Sequence, residues 1–185
     1  MAAGLYIHIP FCISKCPYCD FYSVKYESEL AKKYVLRLTE EFKKYQGSEF
    51  DTVYFGGGTP SALEPELICR IIDEARNNFV ISPKAEITVE CNPSKDLKED
   101  FRLYAESGVN RLSIGMQSAV DKERFALGRR AGQAEVKKTV EYAKNAGISN
   151  ISLDVMLGTP KQSINSLDTT FDFIDKAGVT HISAY

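Results

Sequence analysis

The stretch "CISKCPYC" sets Cys12, Cys16 and Cys19 within eight positions, in a chain of 185 residues that has five cysteines in all. Thiolates this close together are suited to holding metal. Zinc sites pair a C-x-x-C with a second Cys or His pair, which closes four ligands around the ion. Cys69, Cys91 and His181 could each complete such a set, yet none stands at paired-ligand spacing. Cys69 falls in a predicted helix beside its apolar stripe and Cys91 near a strand end, where free cysteine behaves as a small hydrophobe. A four-iron cluster is the alternative. It is normally held by four cysteines, so three thiolates would hold three irons and leave the fourth open to a ligand. The C-x-x-x-C-x-x-C spacing favours that use over zinc or a structural role.

Other residue types suited to binding recur further along. "GGGTP" (Gly56 to Pro60) offers backbone that a ligand can approach with no side chain in the way. It is neither a Walker loop nor G-x-G-x-x-G, and taken alone it reads as a tight turn into the helix begun by "SALEPEL". Glu90 and Asn92 in "VECNP" and Asp154 in "SLDVMLGTP" are either ligand-binding polar groups or solvated strand-end residues. Gln117 in "SIGMQS" and Arg129 in "LGRRAG" are open to the same two readings. Tyr6 and His8 alternate along an apolar run, where each could simply be a hydrogen-bonded interior residue.

The elements that must position these groups follow from periodicity. Strand-like runs occur at Leu5–Ile9, Thr52–Phe55, Glu86–Cys91, Arg111–Ile114, Ile151–Met156 and Thr180–Ala184. Between them lie amphipathic stripes: Leu30, Tyr34, Leu38 and Phe42; Leu67, Ile68, Ile71, Ile72 and Ala75; Leu97, Phe101, Tyr104 and Ala105; Val136, Val140 and Ala143; Ile164, Leu167, Phe171 and Ile174. The segments "SGVNRLSIG", "AGISNISLD" and "AGVTHISAY" repeat one pattern, a glycine where a helix ends and then a strand with a serine inside it. Alternating strands and helices predict an α/β fold with a parallel sheet, as a barrel-like array or an open doubly wound sheet. Residues 1–185 are read as one domain. The chain ends as the sixth strand finishes, which suggests a piece of a longer protein. In parallel βα folds chemistry sits at the C-terminal strand ends, and the cysteines, GGGTP, Glu90 with Asn92, Gln117 and Asp154 all fall there, on five successive strands.

A net charge of −2 gives no reason to expect a nucleic-acid or anionic-membrane surface. "MAAGLYIHIPF" lacks the charge and apolar length of a secretory signal, and no window approaches the roughly 18 apolar residues of a membrane span. A cytoplasmic location is expected, where clustered thiols stay reduced.

The combination Tyr6-x-His8-Ile9-Pro10-Phe11-Cys12-x-x-x-Cys16-x-x-Cys19 resembles the radical S-adenosylmethionine (SAM) superfamily. Within it, "YFGGGTPS", "VECNP", "RLSIGMQS", "LGR" and "LDVMLGTPKQ" are similar to the branch of oxygen-independent coproporphyrinogen III oxidases and heme chaperones of the HemW type. The resemblance implies a partial (β/α)6 TIM-like barrel, truncated here at its sixth strand. It implies that Cys12, Cys16 and Cys19 ligate a 4Fe-4S cluster, and that Tyr6, Gly57, Gly58, Thr59, Glu90, Gln117, Arg129 and Asp154 line a site for SAM. No single side chain is singled out as the catalytic group, since the cofactors carry the hard chemistry.

Two departures sort the branch. Its oxidases typically carry a further cysteine two places after the third, where this chain has Phe21, and "CPYCDF" and "HISAY" look like the heme chaperones. Ala131 stands where members often have histidine. The implied ligand is therefore heme, delivered to respiratory proteins, with an electron donor for the cluster and membrane contact only through a partner. The alternative is radical decarboxylation of coproporphyrinogen III to protoporphyrinogen IX.

Overall fold

A computed structural model describes residues 3–93 and 96–185. The six expected strands are present: β1 (Ala3–Ile9), β2 (Glu49–Gly57), β3 (Val80–Cys91), β4 (Arg111–Gln117), β5 (Asn150–Val155) and β6 (His181–Ala184). Every neighbouring pair is parallel, and the order across the sheet is the order along the chain. The helices are α1 (Ser28–Phe42), α2 (Pro65–Asn78), α3 (Lys98–Glu106), α4 (Asp121–Ala126), α5 (Gln133–Asn145) and α6 (Ile164–Ala177). Parallel neighbours need a crossover, and crossovers of one hand place their helices on one face of the sheet. The result is a partial βα barrel whose edges are β1 and β6. Among the described residues no helix is long and apolar enough to cross a membrane.

Strand alternation divides the side chains between two faces. Ile7, Val53, Phe55, Ile87, Val89, Leu112, Ile114, Ile151 and Leu153 are buried on the helix side. They join Ile68, Ile71 and Ile72 of α2, Phe101 and Tyr104 of α3, and Val136 and Val140 of α5 in one core. The intervening residues face the barrel interior, and they are polar or small: Thr88 and Glu90, Ser113 and Gly115, Ser152 and Asp154. Bulky branched side chains normally fill a barrel of this kind, so these small residues leave the interior open. The serine of the repeated pattern serves that face. Ser113 Oγ donates to Asp154 Oδ1 at 3.0 Å, and the Ser152 and Ser183 hydroxyls lie 3.0 Å apart. The three repeat glycines end their segments with positive φ, +90° at Gly108, +89° at Gly147 and +61° at Gly178, as a left-handed helix stop requires.

Two apolar stripes are placed differently from expectation. On α1 the buried residues are Ala31, Val35, Thr39 and Phe42, and Leu30 is 47% exposed. Small Ala31 and Thr39 let the helix approach the sheet, with Tyr34 and Leu38 flanking the contact. On α6 the buried line is Ser166, Thr170 and Ile174, while Ile164 is 75% exposed. A polar contact decides this, because Thr170 Oγ1 accepts from the Ala119 amide at 3.2 Å inside the fold. Helix α4 has no apolar stripe and was not expected; its buried residues are Glu123 and Arg124.

Replacing Phe101, which is 0% exposed, by alanine is expected to cost about 3–5 kcal/mol. Ile164→Ala should stay within about 0.5 kcal/mol of wild type. Urea denaturation of the two variants checks the difference, and equal losses would contradict this packing.

Candidate functional site

The cysteines occupy the excursion between β1 and α1. Its base is pinned where Phe11–Cys12 pairs with Val24–Lys25, through Val24 N to Pro10 O at 2.7 Å and Tyr26 N to Cys12 O at 2.8 Å. Phe11, 1% exposed, anchors that base against the rings of Tyr34 and Tyr26. Cys19 N donates to Cys16 O at 3.1 Å, turning the chain between the second and third thiols. All three cysteines are unpaired and partly exposed. Farther out, His8 Nε2 donates to Tyr22 O at 3.2 Å, which leaves Nδ1 to accept from the Tyr6 hydroxyl at 3.2 Å.

A single bound ion would need its ligands to converge. Among the described residues no three His, Cys, Asp or Glu side chains do so. The candidates for a fourth zinc ligand lie elsewhere. Cys69 donates to Leu103 O at 3.6 Å, Cys91 is buried in the core, and His181 opens β6 at the opposite end of the strands. A cluster makes a different demand, since each thiolate meets its own iron and the sulfurs need not share a point. Three free, accessible thiols on one pinned loop fit that donor set.

The GGGTP segment crosses directly beneath the cysteine loop. Gly58 N donates to Ile9 O and Thr59 N to Phe11 O, both at 2.8 Å. A Cβ at Gly58 would sit 2.7 Å from Phe11 O, and one at Gly57 (φ +116°) would sit 2.6 Å from the His8 ring. Close approach and a positive φ thus explain both glycines. Thr59 Oγ1 lies 3.5 Å from Cys12 Sγ and accepts from Asn92 Nδ2 at 2.9 Å. Asn92 Oδ1 accepts in turn from Arg129 Nη1, and Arg129 Nε donates to Tyr18 OH at 3.0 Å, back in the cysteine loop. A continuous polar chain therefore links the loops after β1, β2, β3 and β4.

That chain borders a cavity of about 780 Å³, lined by Cys16, Thr59, Asn92, Gly115 and Arg129 among others, which is in the range of small-ligand sites. A Cβ at Gly115 would meet Asn92 Oδ1 at 2.9 Å, with Arg129 Nη2 and Gln117 Nε2 each at 3.2 Å. The three side chains converge where Gly115 has none. Gln117 itself has φ +71° and is 7% exposed. A buried non-glycine residue in the left-handed region is costly and is characteristic of functional sites.

The carboxylates lie deeper in the interior. Glu90 accepts from Tyr54 OH at 2.7 Å and from Gly57 N at 3.3 Å. Burial raises its pKa, and those two donors oppose the shift. The Tyr6 ring stacks on Tyr54 at 6.1 Å between centroids. Asp154, bonded to Ser113, is raised to about 6, chiefly by burial and then by the charge of Glu90, with the Ser113 hydrogen bond opposing. The expected residues thus form three groups: Cys12, Thr59, Arg129 and Gln117 around Asn92, with Cys16 on the same cavity, Cys19 N bonded to Cys16 O and Gly58 in the segment beneath; Tyr6, Gly57 and Glu90 around Tyr54; and Asp154 with Ser113. Sequence reasoning missed Tyr18, Tyr54 and Gly115. Gly115 stands two residues after Ser113 on the same inward face, a signal that strand alternation could have supplied. Tyr18 had none.

The profile of the Radical SAM superfamily matches residues 6–174. The chain belongs to the radical SAM superfamily. Among curated relatives, the heme chaperone HemW of Escherichia coli (strain K12) is 39% identical over 166 residues, 87% of this chain and 44% of that protein. HemW of Mycobacterium tuberculosis (strain ATCC 25618 / H37Rv) is 34% identical over 189 residues, 98% of this chain and 48% of that one. The chain spans about half the length of the curated relatives it matches. Among solved structures, the coproporphyrinogen III oxidase HemN from Escherichia coli has a TM-score of 0.87 at 24% identity, over 98% of this chain and 44% of that one. Methylornithine synthase (PylB) has 0.69 at 15% identity, over 98% and 52%. At those identities the structural likeness is one of fold, and it is the partial barrel of radical SAM proteins.

For this radical SAM chain the pKa of Asp154 has a measurable consequence. A carboxyl raised from 3.8 to about 6 in the folded state binds more protons folded than unfolded between those values. Stability from this group is therefore full below about pH 4 and declines through about pH 6, by on the order of 3 kcal/mol. Asp154→Asn removes that decline. Denaturation of both proteins from pH 4 to 7 checks it, and parallel stability profiles would contradict it.

Proposed function

We propose that Cys12, Cys16 and Cys19 hold a 4Fe-4S cluster with one open iron, and that the adjoining cavity takes SAM. The observation that carries this is the polar chain from Cys12 through Thr59 and Asn92 to Arg129, which joins the thiol loop to a cavity with a guanidinium at its wall. Arg129 suits the carboxylate of the methionine moiety, as a planar donor fork. The Gly57–Gly58–Thr59 backbone admits close approach, and Glu90 supplies an acceptor for an amino group. Asp154 suits ribose hydroxyls, Tyr6 offers an exposed aromatic face, and Gln117 borders the convergence above Gly115. Together, cluster and SAM supply one-electron cleavage of a C–S bond; the protein's part is to hold, orient and exclude water.

We further propose a heme chaperone of the HemW type, binding heme and passing it to respiratory proteins, with an electron donor serving the cluster. Two observations support this over porphyrinogen oxidation. Phe21, 67% exposed, stands where the oxidases carry their extra cysteine, and the curated relatives named above are heme chaperones at 34% and 39% identity.

Anaerobic reconstitution with iron and sulfide, followed by EPR of the reduced protein, tests the cofactor assignment. A four-iron signal that changes on adding SAM is expected, and Cys16→Ser should abolish it. A signal indifferent to SAM, or stoichiometric zinc in place of iron, would sink the assignment. Heme titration and a decarboxylation assay on the complete polypeptide then separate chaperone from oxidase: heme binding without turnover is expected, and conversion of coproporphyrinogen III would reverse the choice.

A further inference from the structure

Charge is buried in the segment that follows β4. Glu123 and Arg124, consecutive in α4, are 0% and 2% exposed. Among the described residues Glu123 Oε1 and Arg124 Nε have no hydrogen-bond partner, so neither side chain is fully satisfied there. Such groups cost about 1–3 kcal/mol each, more when charged, and an apolar pair would fill the same space with less penalty. Their contacts indicate what they hold instead.

Arg124 Nη1 donates to Ser118 O at 3.1 Å, Nη2 pairs with Asp121, and Glu123 Oε2 accepts from Ser118 Oγ at 2.7 Å. Ser118 directly follows Gln117, whose φ of +71° must be held in place. The Ser118 hydroxyl also accepts from Val120 N at 2.9 Å, and the Ala119 amide is held by Thr170 of α6. At the other end of the loop, Arg129 N donates to Arg124 O at 2.8 Å. The two side chains therefore fix Ser118, beside Gln117, to the helix whose main-chain carbonyl at Arg124 holds Arg129, and Gln117 and Arg129 are the two residues that converge with Asn92 above Gly115.

We propose that Glu123 and Arg124 are positioning residues: they clamp the loop so that Arg129 and Gln117 meet SAM. This rests on the SAM assignment above. A clamp used only for stability would leave SAM affinity untouched when loosened.

The test uses the reconstituted protein, with iron and sulfide content, thermal midpoint and SAM affinity by equilibrium dialysis measured on each variant. Arg124→Met should retain full iron and bind SAM about tenfold more weakly, as loss of a supporting contact commonly does, and Arg124→Lys should restore part of the loss. In an Arg129→Ala background Arg124→Met should have a smaller effect, since only Gln117 is then left for the clamp to position. Glu123→Gln, which keeps the size but weakens the bond from Ser118 Oγ, should weaken SAM binding to a lesser degree and keeps the test decisive if Arg124→Met fails to fold. Wild-type SAM affinity in both Arg124→Met and Glu123→Gln, or in Glu123→Gln alone if the other does not fold, overturns the clamp. A wild-type protein that takes up its cluster and ignores SAM overturns the SAM assignment, and the clamp's role falls with it.

Discussion

Everything in this fold depends on the alternation of side chains along parallel strands. Each strand serves two solvents at once, an apolar one against the helices and a polar one inside the barrel. Ile87 and Val89 enter the core while Thr88 and Glu90 face inward; Leu112 and Ile114 do the same beside Ser113 and Gly115. A one-residue slip in any strand would exchange the two sets. It would bury carboxylates among isoleucines and leave the cavity lined with hydrocarbon. The core therefore fixes the register, and the register fixes the site.

At the rim the controlling effect is closeness rather than hydrophobicity. The loop bearing the thiols lies on the GGGTP backbone through two hydrogen bonds of 2.8 Å, and no side chain would fit between them at Gly58. Asn92 then does what backbone cannot, donating to Thr59 and accepting from Arg129. Deeper down, burial raises the carboxyls of both Glu90 and Asp154. These groups sit in a low-dielectric interior where a bound cation or hydroxyl would be held more strongly than at the surface.

Membership of the radical SAM superfamily joins this geometry to a known type of chemistry, yet the superfamily's fold hosts several. A methylornithine synthase and a coproporphyrinogen III oxidase share the architecture at 15% and 24% identity, so the fold itself does not choose among substrates. What the comparisons add is a likeness in sequence to heme chaperones whose chains run to about twice this length.

Much of this was legible in the residues alone. The six strands, their phase, the glycine helix stops and the thiol spacing are local properties, written in periodicities of two and four and in the conformational freedom of glycine. That phase also puts polar groups at the ends of five strands, but not how deep each one lies: Glu90 and Asp154 sit farther inside than the thiol loop. The stripe on α6 could not, because a hydroxyl contact from Thr170 across 51 positions, to Ala119, outweighed the apolar pattern. Tyr18 was invisible for a similar reason, since it meets Arg129 across 111 positions of chain. Buried Glu123 and Arg124 look like surface residues in any window, and only long-range packing encloses them. Which residue type stands at each strand end is a local property of the chain; which of those residues touch is not, because contacts between distant segments depend on loop closure and packing that no local period encodes.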